Sequence, residues 1–179
     1  MNRMKKKVGI GIQDFLKIRE NNCFYVDKMC FIKEWWDSGD KTTIINRPRR
    51  FGKTLTMSML EQFFSLQYAT RSDLFKGLSI WEEDRYRKLQ GTYPVINLSF
   101  ANVKETTLEG ASYRVCQILT EEYRKNYFLI EENSFSIEEK NYYKQMTNNM
   151  KEEDIPMALY QLSYYLYRYY DKKVIIPLA

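Results

Sequence analysis

Apolar residues return every three or four positions along much of the chain. In the segment 53–66 the apolar side chains Leu55, Met59, Phe63 and Leu66 lie on one face of a helical wheel, which predicts an amphipathic helix. The pattern predicts further helices over residues 11–20, 30–36, 108–127, 136–150 and 155–170. The segment 136–150 is mostly polar, so we expect it to form an exposed helical excursion.

Three other runs have the pattern of β-strands. Residues 42–46 read TTIIN, a β-branched run typical of a strand buried in a parallel sheet. Residues 93–100 and 173–176 are the other two candidates. Because these runs alternate with helices, the sequence predicts an α/β fold with a parallel sheet and right-handed crossovers. No linker or repeat interrupts the chain, so we expect one domain over residues 1–179.

Composition narrows the class of protein. The chain is 44% apolar and 28% charged, as in soluble globular proteins, and no apolar run approaches the roughly 20 residues of a membrane helix. There are three cysteines without a C-x-x-C pair and no histidine. Disulfide frameworks and Cys/His zinc sites are therefore disfavoured, and a cytoplasmic location without membrane contact is expected.

Positive charge is concentrated in the first third of the chain. Residues 1–53 contain 13 Lys/Arg and 6 Asp/Glu, a balance of +7, whereas the remainder contains 15 and 17, a balance of −2. An excess of cations in one segment suits a polyanionic ligand, such as a nucleotide or a nucleic acid.

The segment 46–55, NRPRRFGKTL, lies between the predicted strand and the predicted helix. Gly52, Lys53 and Thr54 fit the second half of the P-loop, or Walker A, template G-x-x-x-x-G-K-[ST], with Arg47 at the first glycine position. Backbone N–H groups at the start of a helix bind phosphate oxygens. Lys53 is expected to contact the terminal phosphates, and the Thr54 hydroxyl to bind Mg²⁺. The predicted nucleotide-binding residues are Arg49, Arg50, Phe51, Gly52, Lys53, Thr54 and Leu55.

Two other functions are compatible with the same loop. Arg47, Arg49, Arg50 and Lys53 could bind the phosphate backbone of a nucleic acid, since guanidinium groups pair well with phosphate. Alternatively, the chain is a scaffold or interaction fragment whose loop is vestigial. The oligomeric state is left open by the sequence.

Three segments of the chain resemble the bacterial AAA-ATPase-like proteins, a group often fused to a C-terminal PD-(D/E)XK nuclease-like domain. These are GIQDFLKIRENNCFYVDKMCFIKEW, RPRRFGKTLTMSMLEQFF and YPVINLSF, and the resemblance extends from Ile10 to Ile176. It implies a P-loop NTPase-like three-layer sandwich that binds ATP and Mg²⁺, with nucleic acid as a partner through a fused or separate domain. Asp27 and Lys28 belong to a second signature of the group, where they either orient the pocket entrance or cap the next helix.

The sequence departs from the resembled group after its last predicted strand. The group carries an acidic Walker B sequence there, which holds Mg²⁺ and activates water, but this chain continues as Ile176-Pro177-Leu178-Ala179. We therefore expect a sheet truncated after the third core strand, a domain incomplete at its C-terminus, and no nuclease-like domain. No catalytic residue is assigned, and ATP is expected to bind without efficient hydrolysis.

Overall fold

The computed structural model describes residues 6–46, 48, 51–131 and 135–179. Helices make up 57% of these residues, strand or bridge positions make up 5%, and the described residues form no sheet. The predicted α/β sandwich with a parallel sheet is therefore wrong. Arg47, Arg49 and Arg50, which were predicted to contact phosphate, lie outside the described residues.

Most of the predicted helices are present. The α-helices are α1 (Phe15–Glu20), α2 (Cys30–Ser38), α3 (Lys53–Phe64), α4 (Asp84–Arg87), α5 (Leu108–Lys125), α6 (Ile137–Asn148) and α7 (Ile155–Tyr170). Short 3₁₀ helices occupy Leu66–Tyr68, Ser72–Phe75, Ser79–Glu82, Tyr127–Glu131 and Glu152–Asp154.

The three predicted strands do not assemble into a sheet among the described residues. The run 42–46 is largely exposed, with Ile44 at 87% exposure, and no ladder within the described ranges includes it. Buried parallel strands are stabilised by neighbours that cover both faces, and this run has none there. The other two runs do meet. The N–H groups of Ile96, Leu98 and Phe100 donate to the carbonyl oxygens of Ile175, Pro177 and Ala179 at 3.0, 3.0 and 2.6 Å, and the N–H of Ala179 donates to Leu98 O at 3.0 Å. This pairing is one isolated parallel bridge, Leu98 with Leu178.

The chain divides into two compact units, Met1–Val95 and Ile96–Ala179. The first contains α1 to α4 and an aromatic core, in which the Phe63 ring contacts Phe64 and Phe75 at centroid distances of 5.0 and 5.1 Å. The rings of Trp35 and Trp36 both contact Phe64, at 5.5 and 5.6 Å. The two adjacent tryptophans therefore share one ring as a neighbour.

The second unit is built from α5, α6 and α7. Tyr123 and Tyr143 are fully buried, and their hydroxyls are paired: Tyr123 donates to Ala158 O at 2.8 Å, and Tyr143 donates to Tyr123 O at 2.8 Å. Met146 and Thr147 of α6 are also buried. The expectation that residues 136–150 form an exposed excursion is wrong, because α6 contributes part of this core. The single-domain prediction for residues 1–179 stays a prediction.

The cysteines are all free. Cys23 and Cys116 are buried, whereas Cys30, the first residue of α2, is exposed. Among the described helices, none combines the length and the apolar character that crossing a bilayer requires.

Candidate functional site

The turn into α3 is shaped by a glycine in the left-handed region. Gly52 has φ +76° and ψ 26° and is the residue that precedes the helix. A side chain in this conformation costs roughly 1 kcal/mol or more, so glycine is favoured here. The backbone N–H and the hydroxyl of Thr56 both donate to Gly52 O, at 2.9 and 3.0 Å. These two bonds fix the first turn of the helix onto the glycine.

The start of α3 is open to an anion. No described side chain caps its first N–H groups, and such groups carry the positive end of the helix dipole. A left-handed residue followed by helical ones also forms a concavity of N–H groups that suits anions. Lys53 is exposed and Thr54 is half-buried, and within the described residues the Thr54 hydroxyl has no hydrogen-bond partner.

The remaining described loop residues flank this turn. Phe51 is 61% exposed, and its N–H donates to Pro48 O at 3.4 Å. Leu55 is half-buried in the first turn of α3. The structure thus describes five of the seven predicted nucleotide-binding residues, Phe51 to Leu55, which are consecutive in the chain. Their roles toward a nucleotide stay predictions.

The second signature packs against the same helix. The Tyr25 hydroxyl donates to the Met59 sulfur of α3 at 3.1 Å, and the Tyr25 ring meets Phe15 edge-on at 5.3 Å. Burial raises the pKa of Tyr25 to about 12. Tyr25 therefore anchors the segment 25–28 beside α3.

Asp27 and Lys28 make different contacts. The carboxylate of Asp27 accepts from the N–H of Met29 at 2.8 Å and from the N–H of Ser79 at 2.7 Å. It therefore holds the start of α2 and ties it to a distant turn. Lys28 instead reaches the loop: its Nζ atom lies 3.2 Å from the position that a Cβ atom on Gly52 would occupy. Asp27 holds the turn before α2, whose N-cap is Met29 and has no side-chain cap, whereas Lys28 approaches the loop.

A polar network that the sequence did not predict joins α3 to α1. The Asp14 carboxylate accepts from Leu16 N at 3.0 Å, from Ser58 Oγ at 3.2 Å and from Gln62 Nε2 at 2.7 Å. The Phe15 N–H also donates to Ser58 Oγ at 3.0 Å. Asp14 caps α1 and fixes it on α3 with one side chain. Its position before the apolar residues of α1 was a signal for the cap, but nothing local indicated Ser58 and Gln62.

Metal-ligand clusters and clefts are other features that could bind a ligand. In the parts of the chain that the structure describes, no three His, Cys, Asp or Glu side chains come together to hold a metal ion. The second unit has a polar cleft of about 660 Å³ between one face of α5 and the segment 148–152. None of the predicted phosphate-binding residues lines it.

Comparisons with known proteins address the family. The sequence model of the AAA-ATPase-like family, described as predicted AAA-ATPase, matches residues 9–178. A curated protein of Azotobacter chroococcum mcd 1, described as an uncharacterized protein in the vnfD 5' region, is 33% identical over 120 residues. That match covers 65% of this chain and 21% of the relative, so the chain spans about a fifth of the relative's length. No solved structure matches the chain. Since the family model covers nearly all of it, the chain belongs to the AAA-ATPase-like family.

Proposed function

We propose that this chain binds ATP together with Mg²⁺ at the start of α3. The observation that carries the proposal is the left-handed Gly52 leading into a helix start without a side-chain cap, followed directly by Lys53 and Thr54. This arrangement offers backbone N–H groups, a cation and a hydroxyl at one place. Membership of the AAA-ATPase-like family supports a nucleotide as the ligand of this helix start.

Each residue of the loop has a distinct role in the proposal. The N–H groups of the first turn of α3 donate hydrogen bonds to the phosphate oxygens of the nucleotide. Lys53 neutralises the terminal phosphates, and the Thr54 hydroxyl contributes a ligand to Mg²⁺. Arg49 and Arg50 add charge for the polyphosphate, while Phe51 and Leu55 complete the loop around it.

We further propose that these 179 residues alone hydrolyse ATP slowly. The segment 174–179, which pairs with residues 96–100, contains no carboxylate. Asp171 precedes it, at the end of α7. Rapid hydrolysis requires a second Mg²⁺ ligand and a positioned water, and no residue of this segment is suited to either task.

Nucleotide titration of the purified chain tests the binding proposal. With MgATP at 100 times its dissociation constant, the free energy of unfolding should rise by about 2.7 kcal/mol. Lys53→Ala should abolish this gain, because the cation that faces the phosphates is lost. Lys17→Ala removes an exposed lysine from α1 and should keep it. Equal melting temperatures of the wild-type chain with and without every nucleotide tested would refute the proposal and favour a vestigial loop.

The same preparation separates nucleotides from nucleic acid. Binding to the backbone of DNA or RNA weakens steeply with salt, at a slope set by the phosphates neutralised. If a DNA oligonucleotide binds with such a slope and MgATP does not displace it, the basic loop is a nucleic-acid contact. Displacement by MgATP supports the nucleotide site. Steady ATP turnover that Lys53→Ala abolishes would overturn the proposal of slow hydrolysis.

A further inference from the structure

Lys28 approaches the loop from outside it. It lies well before Gly52 in the chain, yet its ammonium nitrogen is 3.2 Å from where a Cβ on Gly52 would be. The absence of a side chain at Gly52 therefore leaves space for this ammonium group as well as for the left-handed turn. The lysine is half-buried, unlike the exposed Lys53.

The backbone around Lys28 is fixed on both sides. Tyr25 is held on α3 through Met59, and its hydroxyl also forms a hydrogen bond with the Lys28 backbone. Asp27 binds the N–H groups of Met29 and Ser79. Contacts of its neighbours thus fix the backbone position from which Lys28 reaches the loop.

The charge of Lys28 is not used by the described part of the protein. No described carboxylate or carbonyl oxygen pairs with its ammonium group. Lys33 of α2 provides the contrast, since its ammonium binds the Glu83 carboxylate at 2.7 Å. A cation near the positive end of a helix dipole is unfavourable. An anion at the loop offsets this repulsion.

We propose that Lys28 is a second phosphate-binding cation of the site, acting beside Lys53 on the polyphosphate of a nucleoside di- or triphosphate. This inference rests on the proposed function. Lys28 beside Gly52 and Lys53 in the first turn of α3 supply two cations at one helix start, which suits a chain of two or three phosphates better than a single one. The ligand class is therefore a nucleoside di- or triphosphate, and a nucleoside monophosphate should depend on Lys28 much less.

The test measures dissociation constants of the full chain for MgATP, ADP and AMP by calorimetry. Lys28→Gln should weaken MgATP binding about ten-fold or more, since hydrogen bonds to charged groups contribute roughly 1.5–3 kcal/mol. Lys28→Arg should restore most of the affinity because it keeps the charge. Lys17→Gln, an exposed lysine on α1, is the matched control and should leave the affinity unchanged.

The outcomes distinguish the two proposals. If the wild-type chain binds no nucleotide, the proposed function fails and the role of Lys28 fails with it. If the wild-type chain binds MgATP, Lys53→Ala does not, and Lys28→Gln binds as well as wild type, only the role of Lys28 is overturned. A structural role alone would lower the melting temperature and weaken ATP and AMP equally. The proposal requires that the melting temperature of the ligand-free Lys28→Gln chain is not lowered, and that the loss of affinity is confined to ATP and ADP.

Discussion

The first turns of α3 and α6 are built in opposite ways. At α6 the Ser136 hydroxyl accepts from the Glu139 N–H at 3.2 Å, and the Glu139 carboxylate accepts from the Ser136 N–H at 2.8 Å. Arg168 of α7 also binds Glu139, at 2.7 Å, and holds the pKa of that carboxyl below its usual value. At α3 a glycine replaces the cap, and Lys53 stands at the first helical position.

The first N–H groups of α6 are therefore capped by side chains of the protein, whereas no described side chain caps those of α3. A carboxylate near a helix N-terminus stabilises it by about 0.3–1 kcal/mol, and a cation there has the opposite sign. In α6 the N–H groups and the dipole are satisfied by Ser136 and Glu139. In α3 they meet Lys53 and the nearby Lys28. Such a start is less stable alone and more receptive to an external anion.

The largest effect on stability is expected from removing the carboxylate that joins α1 to α3. Asp14→Ala deletes the acceptor for Leu16 N, Ser58 and Gln62, and Gln62 is buried. The chain would lose a helix cap, and the buried Gln62 amide would lose its carboxylate partner and keep only Ser58 Oγ. These losses should lower the free energy of unfolding by about 2–3 kcal/mol. Urea denaturation measures this value. Asp14→Asn keeps an acceptor oxygen and should lose less; an Asp14→Ala chain as stable as wild type would show that the network does not hold α3.

A smaller effect is expected at the complete helix start. Ser136→Ala removes the cap of α6 and should cost about 1 kcal/mol of stability, with the affinity for MgATP unchanged. Ser163→Ala is the matched control, because that hydroxyl donates only within its own helix, to Tyr160 O at 2.8 Å. Thermal melts and a nucleotide titration check both statements. A weakened nucleotide affinity in Ser136→Ala would break the proposed separation of the two helix starts.

The smallest effect on stability is expected from giving α3 an acid of its own. Thr54→Asp places a carboxylate in the first turn and should stabilise the helix by about 0.3–1 kcal/mol. The same charge repels phosphate, so MgATP binding should be lost. Thr54→Asn, of similar size and without the charge, separates repulsion from loss of the hydroxyl. A Thr54→Asp chain that still binds MgATP as wild type does would argue against phosphate at this position.

Helices were predictable from this sequence because their signal is local. The apolar spacing that predicted residues 53–66 reflects a real buried face, with Met59 and Phe63 in the core. The strands were not predictable, because a β-branched run such as 42–46 shows only that a segment is suited to a sheet. Whether a partner lies beside it depends on residues far away in the chain. The buried face of α6 was missed because few of its residues are apolar, although Tyr143 and Met146 lie on one side.

The candidate site likewise has one part that the local sequence predicts and another that depends on packing between separate segments. The order Gly52-Lys53-Thr54 is contiguous, so the sequence reveals it directly. The nearness of Lys28 to Gly52 depends on how Tyr25 packs on Met59, a contact between separate segments. The contacts of Asp14 with Ser58 and Gln62 are of the same kind. Such contacts follow from packing, and no spacing rule predicts them.

The distribution of the free thiols makes the chain suited to site-specific labelling. Cys30 is exposed and lies two positions after Lys28, whereas Cys23 and Cys116 are each only 7% exposed. A maleimide dye added to the native protein should therefore attach at one position, without any engineered cysteine. Its fluorescence would report on the surroundings of Lys28 in real time, so rapid mixing with ATP could follow how fast the loop is occupied.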